Sequence, residues 1–226
     1  MGFSYALPMS SNDPIAVGVD VGADRLHLVC LSEGYVLVGT AVLNPVDTVR
    51  VDDWFAALPA GSVIAVDGPP APSAAPFADD PTVSAKFRLA RGCEVELGRQ
   101  RGVWVSFATG PAPLTGWMAE AARVHDIGAA FGHVTLETYP HAVFRTLLGS
   151  RPAKKSTADG TNQRVEALRR MGLHLDSMPM WSHDSLDAAA AAVVARQHID
   201  GIAEAITCDA DGSSIWLPRD NNTYAR

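Results

Sequence analysis

Three short apolar runs of this chain each finish on an acid: Ile15-Ala-Val-Gly-Val-Asp20, Val63-Ile-Ala-Val-Asp67 and Val134-Thr-Leu-Glu137. Runs this apolar and β-branched fit buried strands, and a carboxylate at the last position stays within reach of solvent. Ligands of open α/β sheets gather at such strand ends. A fourth segment adds two more acids. Ser182-His-Asp-Ser-Leu-Asp187 opens an alanine-rich stretch expected to be helical, and the i, i+3 spacing of Asp184 and Asp187 places both on one face. Like charges gathered at one edge raise one another's pKa values unless a cation intervenes. Mg²⁺ or Mn²⁺, with oxygen ligands, is the expected counter-charge.

Each acid alone also has a plain structural use. Asp67-Gly68-Pro69 is an ordinary turn opening. Acids in a first helical turn stabilise it by about 0.3 to 1 kcal/mol through the helix dipole, which explains Asp184 better than Asp187. Glu137, if Leu136 faces the core, is turned the other way, towards a cleft or towards solvent. What favours a site is the joint pattern, in which four separate elements each deliver an acid to an edge.

With 226 residues, 47% of them hydrophobic, the chain can bury one substantial core, and no break in composition divides it. One domain over 14–218 is expected, with flexible tails at 1–13 and 219–226 that offer little to bury. The net charge of -7 gives no general basic field for nucleic acid or anionic membrane, so such a partner must meet a local patch. Cys30, Cys93 and Cys208 are odd in number and far apart, which suits core thiols in a reducing compartment better than disulfides or a zinc site. No run approaches the ~20 apolar residues of a membrane helix, and a cytoplasmic location without membrane contact is expected.

Runs over 15–20, 25–31 and 35–43, with short links, predict an antiparallel meander. Pro45 introduces a helix ending near Pro59, and the strand 62–67 after this crossover is expected to run parallel to a neighbour. The proline-rich segment 68–76 is a loop beside the proposed site. Helices are expected over 86–99 and 114–127, flanking the apolar Val103-Trp-Val-Ser-Phe107, then a strand over 133–139. Later helices are expected from Pro140 to Gly149, over 162–171, and from the N-cap Ser182 to about His198.

The most cationic stretch, Lys86, Arg88, Arg91, Arg99 and Arg101, could hold phosphates, as could Lys154 and Lys155, although a charge run is more often a solvated helix face. His183 beside Asp184 could shuttle protons, but a helix-start residue is the plainer account.

Meander, helix, acid-ending strand and late acidic helix, in this order, resemble the ribonuclease H-like fold. The motifs Gly18-Val-Asp-Val-Gly22, Val66-Asp-Gly-Pro69, Arg91-Gly-Cys-Glu94, Gly116-Trp-Met118, Glu137-Thr-Tyr-Pro-His141, Lys155 to Gly160 to Arg164, and Asp184-Ser-Leu-Asp-Ala188 go further. They resemble the predicted-nuclease family named domain of unknown function 429, over roughly 15–195. The resemblance implies an α/β fold with a mixed sheet, an antiparallel meander plus parallel strands, flanked by helices and carrying a helical insertion after the fourth strand. It also implies divalent-ion-dependent phosphodiester hydrolysis of a structured nucleic acid, DNA or RNA, or else of a small phosphorylated substrate.

By that resemblance Asp20, Asp67, Glu137, Asp184 and Asp187 form the catalytic set, with Asp20, Asp67 and Asp187 as metal ligands. Arg88, Arg91 and Lys155 are the phosphate-contact candidates. The segment Phe107-Ala-Thr-Gly-Pro111 departs from the plainer proline-containing turn of the family.

Two rival functions remain open at this level. Val19-Asp-Val-Gly22 and Val66-Asp-Gly68 also resemble the phosphate-binding turns of the actin and hexokinase superfamily, although those proteins clamp nucleotide between two lobes and this length supplies one. A non-catalytic binding module of the same fold is the other.

Overall fold

The computed structural model describes residues 13–175 and 181–219. The meander forms as expected, from β1 (Ala16–Val21), β2 (Leu26–Leu31) and β3 (Leu37–Leu43), paired antiparallel. The helix α1 (Thr48–Ala56) crosses to β4 (Val63–Asp67), which lies parallel to β1. Its start is fixed by Asp47, whose side chain accepts from the Arg50 amide at 3.2 Å.

The helical insertion follows as α2 (Gly92–Arg101) and α3 (Trp117–Ala130), and β5 (Val134–Thr138) then pairs parallel with β4. The remaining elements are α4 (Pro140–Leu148), α5 (Ala158–Arg170), α6 (His183–Ile199), β6 (Glu204–Thr207) and β7 (Ser214–Leu217). The sheet runs β3-β2-β1-β4-β5-β7-β6. A mixed seven-stranded sheet of this order, flanked by helices, is the ribonuclease H-like architecture expected from the sequence.

Every residue of β1 is buried, because helices cover both faces of the sheet. On one face the alternate residues Val17, Val19, Ile64 and Val66 pack with Val51 and Phe55 of α1 and Ala121 and Val124 of α3. On the other, Ala16, Val63, Ala65 and Leu136 meet α4, α5 and the buried alanines of α6. The approach of α6 is close enough to exclude a side chain at Gly18. A Cβ there would lie 2.0 Å from the Ala188 carbonyl oxygen and 2.2 Å from the Ala192 nitrogen.

Pro140 at the start of α4, the left-handed Gly149 after it and the Ser182 cap of α6 all stand where the sequence places them. Three boundaries differ. The helix expected over 86–99 begins only at Gly92, because 84–90 is a run of i→i+3 turns, with Phe87 and Ala90 amides bonded to Ser84 and Phe87 carbonyls. The helix expected from Leu114 begins at Trp117, since Gly116 at φ 58, ψ -137 is not helical. The helix expected from Asn162 begins four residues earlier, capped by the Thr157 hydroxyl, which accepts from the Gly160 amide at 3.1 Å.

The hairpin β6–β7 was not expected at all. It lies beside β5, where α2 packs on both its strands. Of the expected tails, all but Asp13 and Arg219 fall outside the described residues. Arg219 itself is anchored, its backbone nitrogen and carbonyl bonded to the buried Gln197 side chain at 2.7 and 3.0 Å. Among the described residues no helix is long and apolar enough to cross a membrane.

Candidate active site

Because β1 and β4 pair in parallel register, Asp20 stands directly across from Asp67. Paired residues of neighbouring strands share a face, and Gly18, two places before Asp20, faces α6. Both carboxylates therefore project to the α6 side of the sheet. There α6 supplies Asp187, which is 6% exposed against 8% for Asp20.

This arrangement crowds negative charge. Burial first, then Asp187 and Asp184, push the Asp20 carboxyl up to about 8, with Lys155 pulling the other way. Burial, followed by Asp20 and Asp187, raises Asp67 well above the ordinary carboxylate range. Neither Asp20 nor Asp67 receives a hydrogen bond or ion pair from any described residue. Asp187 is raised by burial although the Lys155 Nζ donates to its Oδ2 at 2.9 Å. Burial also works against the Lys155 ammonium, but Asp187 outweighs it and raises the lysine's pKa. Lys155, expected to meet phosphate, thus sits on the carboxylate expected to meet the ion.

Glu137 is one place out of step. It pairs with Val66, while Thr138 pairs with Asp67, so alternation sends the Glu137 side chain to the opposite side of the sheet from Asp20 and Asp67. It is buried there, pushed up to about 7 by that burial against the pull of Arg91, whose Nη2 donates to its Oε2.

Arg91 is only 3% exposed, and its Nε lies 3.9 Å from Glu94 Oε1. The hairpin holds it in place at the start of α2: the Gly92 amide donates to Asp211 Oδ2 at 2.7 Å and the Cys93 amide to Ser213 Oγ at 2.9 Å. Arg91 is therefore committed to two internal carboxylates. Arg88 does not line the cleft; its Nε donates to the Val83 carbonyl at 3.1 Å. Asp184 is half-exposed at the rim, 3.0 Å from His183 Nε2 and 3.8 Å from His27 Nε2.

Asp20, Asp67, Glu137, Asp184 and Asp187 all line one open cleft of about 830 Å³. The turn at its edge is forced: Gly68, at φ 145, could carry no Cβ without meeting Ala121 at 2.6 Å. Asp67-Gly68 is thus both a turn opening and part of the cleft.

Among the described residues no three His, Cys, Asp or Glu side chains close on a common point as a ready metal cage. An open arrangement suits Mg²⁺, which keeps several waters and takes one or two carboxylates together with substrate phosphate. Asp20, buried, and Asp67, partly buried, both without partners, are fitting donors for it, with Asp187 beside them.

Sequence reasoning gave no site role to Glu94, which is buried in the cleft wall and accepts from the Thr109 amide and hydroxyl at 3.0 and 2.6 Å. It also passed over Trp104 and Phe107, both cleft-lining. Alternation in Val103-Trp-Val-Ser-Phe107 carries the signal for Trp104, since Val103 and Val105 are buried and Trp104 is turned out.

Solved structures similar to this chain include two of RuvC. Thermus thermophilus RuvC aligns at 15% identity and a TM-score of 0.46, with 83% of this chain and 96% of that chain covered. T. thermophilus RuvC in complex with a Holliday junction substrate aligns at 15% identity and a TM-score of 0.41, covering 84% of this chain and 97% of the other. No curated protein matches. The family model described as "Protein of unknown function (DUF429)" matches residues 18–211, and the chain, with its ribonuclease H-like sheet, is a member of that family.

Proposed function

We propose that the cleft hydrolyses phosphodiester bonds of nucleic acid with a divalent ion, Mg²⁺ or Mn²⁺. One observation carries this reading: Asp20, buried, and Asp67, partly buried, stand side by side on parallel strands without a hydrogen-bond or ion-pair partner, with the buried Asp187 alongside. A protein interior tolerates such a cluster poorly unless a cation is meant to arrive. Asp20, Asp67 and Asp187 would hold the ion, which would supply an activated water and stabilise the leaving oxygen.

The chain's own groups divide the remaining work. Lys155 neutralises Asp187 before an ion is present, and its half-exposed ammonium is free to turn to a substrate phosphate once that charge is met elsewhere. Arg91 stays with Glu137 and Glu94, offsetting one of their two charges and fixing that side of the cleft. Asp184, beside His183 and His27 at the rim, is placed to accept a hydrogen bond from water entering the cleft.

The test is a panel of single-stranded, duplex and junction DNA and RNA, with nucleotides added, incubated with Mg²⁺ or Mn²⁺. Wild type is compared with Asp20→Asn and Asp187→Asn, and calorimetry reads ion binding separately. Ion binding and cleavage lost together in both variants support the reading. Cleavage at the same rate in all three proteins removes it.

A further inference from the structure

Besides the acids, the lining of the cleft is aromatic and cationic. Phe107 is 70% exposed and Trp104 43% exposed, although both line the cleft. Trp104 is held from behind, its ring 4.6 Å from that of Phe87 and its indole packed where Gly98 has no side chain. Large aromatics left this open in a cleft are available for stacking.

The cations come from the turn 151–155, which is seated rigidly. Gly160 lets it lie against α5, since a Cβ there would stand 2.0 Å from the Lys154 carbonyl oxygen, and Arg164 Nη1 donates to the Ala153 carbonyl at 3.0 Å. Arg151 and Lys154 are exposed on this turn and make no ion pair with any described residue. Behind them Arg164, 4% exposed, keeps a buried Nε without a hydrogen-bond partner.

We propose that the cleft takes an unpaired nucleic-acid strand, its bases stacked on Phe107 and Trp104 and its phosphates on Arg151 and Lys154; the assignment rests on the hydrolase reading of the same cleft. Paired bases are hidden within their own stack and cannot use aromatic platforms, whereas an unpaired strand offers every base as a π-face. Duplex binding also draws on many phosphate contacts, and a net charge of -7 leaves few cations to make them. Two aromatic platforms and a separate cationic turn exceed what a lone nucleotide engages.

The test is binding in EDTA, read by fluorescence anisotropy. Labelled DNA and RNA single strands of about 12 nucleotides are compared with the same sequences as blunt duplexes, and a nucleoside monophosphate serves as competitor. The strand should bind at least about tenfold tighter than the duplex, and Phe107→Ala should weaken strand binding about 5- to 100-fold. Thermal unfolding should be unchanged in that variant, because the side chain is exposed. Duplex bound as tightly as strand, a Phe107→Ala effect under about twofold, or full competition by the monophosphate overturns the proposal. The same proteins are then given Mg²⁺ or Mn²⁺. Strand binding that depends on Phe107 without cleavage removes the hydrolase reading and still supports strand recognition. Cleavage of duplex at the wild-type rate by Phe107→Ala does the reverse.

Discussion

The two sides of the cleft are built differently. The acids stand on β1, β4 and α6, regular elements locked together by the Gly18 contact, and their backbones have no freedom to rearrange. The aromatics and cations stand on irregular segments, 103–107 and 151–155, each tied down at a few points. In the proposed reading, chemistry that depends on the spacing of charges falls on regular elements, and recognition of the strand on irregular segments anchored by a few contacts. The difference separates what substitutions do: on the acid side they should change both stability and catalysis, on the other side mainly affinity.

The largest effect should come from Arg91→Ala, which leaves Glu137 and Glu94 buried without their cation. A loss of about 3 to 5 kcal/mol by chemical denaturation is expected, and a cost below about 1 kcal/mol would show that the buried pair does not brace the cleft. Asp20→Asn should lower ion-dependent cleavage about 1,000-fold, some 4 kcal/mol of barrier.

Asp20→Asn should also change how stability depends on pH. The folded carboxyl titrates near 8 against an ordinary value of 3.8, so the folded state binds this proton more tightly than the unfolded chain does. The Asp20 contribution to the stability of the ion-free protein should therefore be fully present below about pH 4 and be lost as pH rises towards 8. Melting temperatures across that range should show the decline in wild type and a shallower one in the variant; equal slopes would mean that Asp20 is not the group under strain.

Gly18→Ala should cost about 3 kcal/mol by thermal unfolding, since the added methyl meets the α6 backbone rather than a movable side chain. The smallest stability change is expected for Lys154→Ala and Arg151→Ala, with melting temperatures within about 2 °C of wild type. Each should nevertheless lower the salt slope of strand binding by about one. A slope that does not move would place the phosphates elsewhere.

Much of the acid side is legible in the sequence because its signals are local. Apolar runs ending in Asp20 and Asp67 declare strands with open ends, and Ser182 declares the start of α6. What the sequence withholds is relational. Nothing within Val134–Thr138 reveals that Glu137 pairs with Val66 instead of Asp67, a single step of register that changes its side of the sheet. Nor does the basic stretch reveal that Arg91 is spent on buried carboxylates while Arg88 remains outside, because one partner, Glu137, lies 46 residues on in β5, and the other, Glu94, is brought to Arg91 only by the turn into α2. The strands β6 and β7, four residues each, are too short to show a period.

That late hairpin has a consequence for how the protein comes into being. The amides that open α2 are tied to Asp211 and Ser213, partners 119 and 120 positions further along the chain. During synthesis the meander, β4 and even α6 can emerge and begin to pack while Arg91 still lacks its seat. Closing so long a loop is slow compared with forming local contacts. The cleft therefore acquires its electrostatic balance last, and a ribosome-bound chain stopped short of Cys208 would carry the acids without the brace that sets them in order.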